Sequence, residues 1–330
     1  MARRALGPAS LAVVQAVDSS LVTSDQVLLV ACSGGADSLA LAAAVSEVGR
    51  RRELATAGVV VDHGLQPGSG ETADRARQQL LGLGFVDVAI VGVTVDQETG
   101  QGLEGAARAA RYAALDAEGA RREATVLLGH TQDDQAETVL LGLARGSGLR
   151  SLAGMAVRTG RYLRPMLSLP RSVSEQACLE VGLSPWRDPH NLDPAYARSR
   201  VRQRVLPLLE RELGPGITPA LARTAQLARA DADLLDALAS EAYPATDTID
   251  CDRLSQLPAA LRSRVIRSWL TASGAGATTY EHVRRVEELV TGWRGQRPLD
   301  LPGVQVSRRD GQLVCTPAAA GALWQAERRG

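Results

Sequence analysis

An α/β architecture is the fold class this sequence predicts: an open, mainly parallel sheet with helices on both faces, followed by a helical linker region and a small α+β C-terminal domain. Three observations predict it. Short apolar, β-branched runs alternate with amphipathic stretches through the first 145 or so residues, the βαβα rhythm of a sheet covered on both faces. Several of these runs end in polar residues: Ser33 after the first, Asp62-His63 after the second and His130 after the fourth. After about residue 150 the rhythm gives way to a proline-rich stretch and then to long helical spacing.

The first run, Val27-Leu28-Leu29-Val30-Ala31, is apolar throughout, as a central parallel strand buried on both faces must be. Leu39, Leu41, Ala42, Val45 and Val48 then keep helical spacing, giving a helix over Asp37–Val48. Further strands fall at Ala57–Val61, Val86–Val93 and Thr125–Leu128, with helices near Glu71–Leu83, Leu103–Glu118 and Asp134–Leu143. Residues 151–190, with Pro165, Pro170, Pro185 and Pro189, read as loop-rich. Beyond Pro215 and Pro219, a stripe of Leu221, Ala225, Ala228, Ala232, Leu235 and Leu238 marks a long amphipathic helix. The stretch from Tyr243 to Asp252 reads as a boundary. Helices near Ala259–Ala272 and Tyr280–Trp293 and strands around Gln305–Arg308 and Gln312–Thr316 follow it. The division expected is 1–215 for the catalytic domain, 216–245 for the linker and 246–330 for the small domain.

Composition bounds the chemistry. The chain has 330 residues, 45% hydrophobic and 22% charged, which describes an ordinary globular protein with a large core. Aromatic residues are only 3%, with Phe85 the single phenylalanine, so Ala, Leu and Val build that core. Lys+Arg and Asp+Glu both number 37, and the sequence contains no lysine. Zero net charge means that a nucleic acid would be held by local arginine clusters. The missing lysine excludes a Walker-A loop and any lysine Schiff base. Cys32, Cys178, Cys251 and Cys315 form no CxxC pair and read as reduced thiols of a cytoplasmic protein. No stretch approaches a membrane span or the apolar core of a signal peptide.

Ser33-Gly34-Gly35-Ala36-Asp37-Ser38 joins the first strand to the first sheet helix. A strand, a glycine turn and a helix start gather backbone N–H groups and the positive end of a helix dipole at one point. That is an anion site, and polyphosphate is its usual occupant. Ser33 and Ser38 add hydroxyls, and Asp37 can hold a divalent metal on the phosphates.

A second constellation is Gly129-His130-Thr131-Gln132-Asp133-Asp134-Gln135-Ala136-Glu137. Asp133 and Glu137 are four apart and share a helix face, with His130 at the strand end before them. Such a group can bind a cation, bind an amine or move protons; it is also what an acidic first helical turn looks like. Arg108 and Arg111, three apart on a helix, suit a triphosphate or, with Glu104, a surface salt-bridge face. Arg198, Arg200, Arg202 and Arg204 lie on a helix with an apolar stripe of Val201, Val205 and Leu208, and read as a phosphodiester reader or a solvated arginine face.

The loop resembles the SGGxDS signature of the PP-loop ATP pyrophosphatases, with a Rossmann-like sheet. Several further segments together resemble the tRNA(Ile)-lysidine synthetase family: VDHGL at Val61–Leu65, LEGAARAARY at Leu103–Tyr112, GHTQDDQAETVLLGLARGSGLRSLAGM at Gly129–Met155, LRPML at Leu163–Leu167, and WRDPHNLDPAYARSRVRQRVLP at Trp186–Pro207. The resemblance implies ATP-dependent ligation of free L-lysine to the wobble cytidine of an isoleucine tRNA with a CAU anticodon, with AMP and pyrophosphate released. It implies that Ser33, Gly34, Gly35, Ala36, Asp37 and Ser38 bind ATP, with Asp37 on Mg2+ and Asp62 and His63 near the nucleotide. Arg108 and Arg111 would stabilise the phosphates, Asp133, Asp134 and Glu137 would hold lysine, His130 would support the chemistry, and Arg198, Arg200, Arg202 and Arg204 would meet tRNA. Arg284, Arg285, Arg308 and Arg309 are candidates for a grip on the tRNA stem. A PP-loop tRNA thiolase, an amidotransferase relative and a non-catalytic ATP- or RNA-binding module are the rival readings. The first needs paired cysteines or an iron–sulfur site, the second a glutaminase-like cysteine.

Overall fold

The computed structural model describes residues 6–64, 68–95, 102–146, 148–186, 188 and 193–318, with backbone only at 102–104. The order of elements is α1 (Pro8–Ser20), β1 (Val27–Ala31), α2 (Ala36–Arg52), β2 (Ala55–Asp62), α3 (Ser69–Gly82), β3 (Asp87–Gly92), α4 (Gly102–Arg121), β4 (Thr125–Leu128), α5 (Gln132–Ala144), α6 (Leu149–Leu152), β5 (Arg158–Thr159), β6 (Tyr162–Leu163) and α7 (Arg171–Val181). Then come α8 (Ala197–Arg200), a π-turn over Val201–Val205, α9 (Leu206–Leu213), α10 (Ile217–Ala242), β7 (Thr248–Asp250), α11 (Cys251–Ser255), α12 (Ala259–Ala272), α13 (Tyr280–Thr291), β8 (Leu299–Leu301), β9 (Val304–Arg309) and β10 (Gln312–Pro317). They form two compact units: residues up to Ala144 with Gly154–Ala225, and Arg145–Ala153 with Gln226 onward.

In the first unit six strands form one sheet in the order β3-β2-β1-β4-β6-β5, parallel except for the β5–β6 pair. β1 is central, in register with β2 from Val27 opposite Ala55 to Ala31 opposite Val59, and with β4 from Leu28 opposite Thr125 to Ala31 opposite Leu128. Because side chains alternate, Leu28, Val30, Val60 and Leu127 join the core made with α1, α2, α3 and α7, while Leu29, Val59, Val126 and Leu128 join Leu115 of α4 on the other face. Helices therefore cover both faces, as the apolar continuity of Val27–Ala31 requires. The chain runs outward from β1 to β2 and β3, then returns to the opposite side of β1 as β4. The order reverses between β1 and β4, the place where open α/β sheets take ligands beyond their carboxyl ends.

α2 begins directly after Gly35, with Asp37 in its first turn and Arg50, Arg51 and Arg52 in its last, so both ends complement the helix dipole. It runs one turn past the expected Val48, until Glu53 leaves the helix in the left-handed conformation.

The stretch expected to be loop-rich, 151–190, carries α7 and the strand pair β5–β6. Pro170 acts as a boundary, standing as the N-cap of α7. α1, which the sequence did not announce, is fixed from a distance. The Glu180 carboxylate accepts from Ala9 N at 3.2 Å, Ser10 N at 2.8 Å and Ser10 Oγ at 2.7 Å, bonding N–H groups of the first turn of α1.

In the second unit an antiparallel sheet of order β7-β10-β9-β8 packs with α11–α13 around Ile249, Leu254, Ile266, Leu270, Val286, Val306 and Leu313. β7 lies inside the expected boundary at Tyr243–Asp252. Thr279 and His282 form a reciprocal cap at the start of α13, and Arg308 donates to the carbonyls of Leu289 and Val290 near its end. Among the described residues no helix is long and apolar enough to cross a membrane.

Candidate active site

β1 ends in the loop Ser33–Ser38, and the Ser38 hydroxyl ties it together. Its Oγ donates to Gly35 O at 3.0 Å, accepts from Ser33 N at 3.2 Å and lies 3.3 Å from Ser33 Oγ. Gly34 takes φ +80°, a conformation a side chain would strain, and its carbonyl accepts from Trp186 N at 2.9 Å. The first N–H groups of α2, from Ala36 to Ser38, have no acceptor within their own helix and converge on the carboxyl edge of the sheet.

β4 ends against this loop. A Cβ on Gly129 would meet Asp37 C and O at 2.9 Å and Ser38 N at 3.0 Å, so only glycine allows so close an approach. The two constellations read from the sequence therefore share one centre. Arg171, the first residue of α7, joins them. Its Nε donates to Asp37 Oδ2 at 3.1 Å, its Nη2 to Asp134 Oδ1 at 2.9 Å, and its backbone N–H to Asp133 Oδ2 at 2.8 Å.

The acids differ in state. Burial pushes the Asp37 carboxyl above its ordinary range, and neighbouring Asp134 adds to this, although Arg171 pulls it down. Asp37 Oδ1 is buried with no hydrogen-bond partner. For Asp134 burial is outweighed by Arg171, the Thr131 N–H, His130 and Arg202, so its carboxyl sits below the usual range. Its Oδ2 accepts from Thr131 N at 2.8 Å and Thr131 Oγ1 at 2.9 Å at the start of α5. Glu137 is 0% exposed. Burial raises its pKa, and Arg202 opposes that from close range: Nε to Oε1 at 2.6 Å and Nη2 to Oε2 at 3.2 Å.

Basic and imidazole groups influence one another and the acids here. Arg111 is depressed by burial and by the cations Arg108 and Arg198. Arg108 is exposed, with its guanidinium carbon 4.7 Å from the centre of the Tyr112 ring and its Nη2 donating to the Tyr112 hydroxyl at 3.2 Å. Burial and then Arg111 push the His63 imidazole below its ordinary range, against Asp62. His130 is pushed down to about 3 by burial, with Arg164, Arg111 and Arg108 acting in the same sense against Asp134. The Nδ1 atoms of both histidines are buried without partners. Asp62 Oδ1 accepts from Gly64 N at 3.0 Å.

The shared face expected for Asp133 and Glu137 divides: Asp133 bonds the start of α7, and Glu137 turns to Arg202. The regular basic helix expected over Arg198–Arg204 is interrupted by the π-turn, and its arginines split. Arg198 and Arg202 face α5, with Arg198 Nη2 donating to Thr138 Oγ1 at 3.0 Å. Arg200 and Arg204 stay exposed. Arg108 meets Tyr112, while the side chain of Glu104, its alternative partner, lies outside the described residues, as do Leu65, Arg187 and Asn191 of the quoted motifs. Arg171 and the buried Arg164 were not foreseen. The one signal for Arg171 was its place just after LRPML and Pro170.

A family model described as a PP-loop domain matches residues 10–209, and one described as the TilS substrate binding domain matches residues 249–314. The tRNA(Ile)-lysidine synthase of Thermobifida fusca is 56% identical over 296 residues, covering 87% of this chain and 91% of that protein. The tRNA(Ile)-lysidine synthase of Streptomyces coelicolor is 52% identical over 295 residues, covering 86% of this chain and 83% of that one. Among solved structures, the U34-tRNA thiolase NcsA of Methanococcus maripaludis with its 4Fe-4S cluster has a TM-score of 0.54 at 18% identity, over 66% of this chain and 78% of that chain, a likeness of fold alone. By these relatives and by both domain matches, the chain belongs to the tRNA(Ile)-lysidine synthase family.

Proposed function

We propose that this protein uses ATP to ligate free L-lysine to the wobble cytidine of the CAU anticodon of isoleucine tRNA, releasing AMP and pyrophosphate. The observation that carries this reading is the Arg171 bridge: one guanidinium spans Asp37 of the phosphate loop and Asp134 of the acidic helix, at 3.1 and 2.9 Å. A nucleotide on the loop and an amine on the acids would then lie side by side.

ATP rests on the N–H groups and hydroxyls of Ser33–Ser38, with Asp62 and His63 beside the nucleotide. The cytosine 2-carbonyl oxygen attacks the α-phosphorus, and pyrophosphate leaves. Arg111 and Arg108 balance the charge that grows on the phosphate oxygens, a preorganised electrostatic effect. His130, kept neutral, offers a hydrogen bond without adding to the cations. The lysine ammonium, held by Asp133, Asp134 and Glu137, gives up a proton to become a free amine, whose nitrogen attacks C2 of the adenylated base as the C2–O bond breaks and AMP leaves. Asp37 suits Mg2+, because its buried Oδ1 lacks a partner and Mg2+ usually takes one or two carboxylates plus substrate phosphates. When bound, that ion supplies neutralisation of phosphate charge.

Residues 1–215 would carry this chemistry, 216–245 would link, and 246–330 would hold the tRNA, with Arg200 and Arg204 of the first segment adding phosphate contacts. The thiolase and binding-module readings are not favoured; the four cysteines stand far apart in sequence with no pair spaced for a cluster. The test is incubation of the pure protein with ATP, Mg2+, labelled lysine and unmodified isoleucine tRNA. Label should enter the tRNA in step with AMP and pyrophosphate. Turnover sustained by sulfide or glutamine in place of lysine, or tRNA binding without ATP consumption, would overturn the proposal.

A further inference from the structure

The side chain that fills the acidic pocket comes from the basic segment itself. Arg202 bonds Glu137 with both Nε and Nη2, at 2.6 and 3.2 Å, and reaches Asp134 Oδ1 with Nη2 at 3.2 Å. Arg198 Nε stands 3.4 Å from Glu137 Oε2, the oxygen that Arg202 Nη2 also reaches. A carboxylate that is 0% exposed and already bonded at both oxygens has no place for another cation. Nor can its guanidinium simply depart, because a buried charge left without a partner is costly. A second cation must enter as the first leaves.

We propose that the Arg202 guanidinium is a built-in occupant of the amine site, exchanged for the lysine ammonium when RNA phosphate draws the basic segment away. This makes Arg202 a specificity-determining residue that ties acceptance of lysine to the presence of tRNA, and it rests on the reading of Asp134 and Glu137 as the lysine pocket. An arginine suits the task because it stays protonated and so satisfies the acids without becoming a nucleophile towards an activated base.

The local backbone is built for such a movement. Leu206 N–H bonds Val201 O, five residues back, and Val201–Val205 is a π-turn between two α-helices. Pro207 explains it: proline has no N–H for the Gln203 carbonyl, and its ring would clash with that carbonyl in a regular α-helix. Such turns hold one residue more than the α-helix and recur at functional sites. Shifting the register by one residue would swing Arg202 by about 100° around the helix axis. Arg200 and Arg204 flank it, both exposed; Arg200 Nη1 donates to the carbonyls of Pro194 and Ala195, at 2.8 and 2.7 Å, and Arg198 has a second partner in Thr138.

The test is equilibrium dialysis of labelled L-lysine against the full chain with a non-hydrolysable ATP analogue, with and without isoleucine tRNA. If the open pocket is a minor state of about 10% or less, tRNA should tighten lysine binding to the wild type at least about tenfold. Without tRNA, Arg202→Gln should bind lysine at least about tenfold tighter than wild type, and tRNA should then add little. Arg202→Lys, which keeps one cation but loses the fork, should fall between them and carries the test if Arg202→Gln does not fold, as thermal melting would reveal. Equal wild-type affinity with and without tRNA, or no gain in either variant, overturns the exchange. Absence of lysine binding in every arm overturns the pocket itself, whereas tRNA-dependent binding in wild type with no gain in the variants overturns only the role of Arg202.

Discussion

Replacing Gly129 by alanine adds one carbon where the chain leaves no room. The new Cβ would lie 2.9 Å from Asp37 C and O and 3.0 Å from Ser38 N, all backbone atoms that no rotamer change can move. Ordinary contact begins at 3.4 Å, so the end of β4 and the start of α2 must part by about half an ångström. Overpacking of this kind costs about 1–3 kcal/mol, and a unit of this size loses about 2–4 °C in melting temperature per kcal/mol. The kinetic effect should be larger than the thermal one. A displacement near 1 Å at reacting groups costs about 10²-fold, so half of that should cost about tenfold in kcat/KM for ATP. The assay is pyrophosphate release at saturating lysine and tRNA, paired with thermal melting. Gly82→Ala is the control: Gly82 is the last residue of α3, its added Cβ meets nothing within 4 Å, and it should leave both readouts near wild type. Wild-type ATP kinetics in Gly129→Ala would refute the packing of the two constellations against each other.

Three further outcomes follow from the same geometry. Asp37→Asn should lower pyrophosphate release by about 10²-fold or more while melting changes little, because burial already penalises the charge it removes; full activity would refute the role of this carboxylate. Arg111→Ala should reduce adenylation about 10²–10³-fold without loss of stability, since its guanidinium is buried beside other cations; a lower melting temperature with normal adenylation would mark it as structural. His130, pushed down to about 3, stays neutral in the fold while the unfolded chain takes up a proton below about 6.5. The stability it contributes is complete above that value and is lost as pH falls towards 3, so melting should drop between pH 7 and 5 in wild type and drop less in His130→Asn. Equal drops would contradict a buried neutral imidazole.

The central strands were legible because burial on both faces leaves one signature. Thr125–Leu128 was read to the residue, and Val27–Ala31 likewise. β7 and β8, each only three residues long, are too short to show alternation, and their pairing with β10 and β9 supplies what local pattern does not. The loop Ser33–Ser38 and His130 announced themselves at strand ends, because connectivity alone fixes where a strand points. The side-chain pairings did not. Arg171 reaches Asp37 across 134 positions, a partnership no local spacing encodes. Four-residue spacing rightly put Asp133 and Glu137 on one helix, but which neighbour each would meet depended on where α7 and the Arg198–Arg204 segment come to rest. That segment shows the same limit: Pro207 turned an expected regular helix into a π-turn and sent Arg202 inward to the acids.

A crystal structure of the protein with a non-hydrolysable ATP analogue, L-lysine and isoleucine tRNA tests the common centre most directly. The triphosphate should lie on the Ser33–Ser38 amides, and the lysine ε-nitrogen should lie within hydrogen-bond reach of Asp134 or Glu137, facing the target cytosine. Lysine bound away from those carboxylates, or a nucleotide seated off the start of α2, would contradict the account.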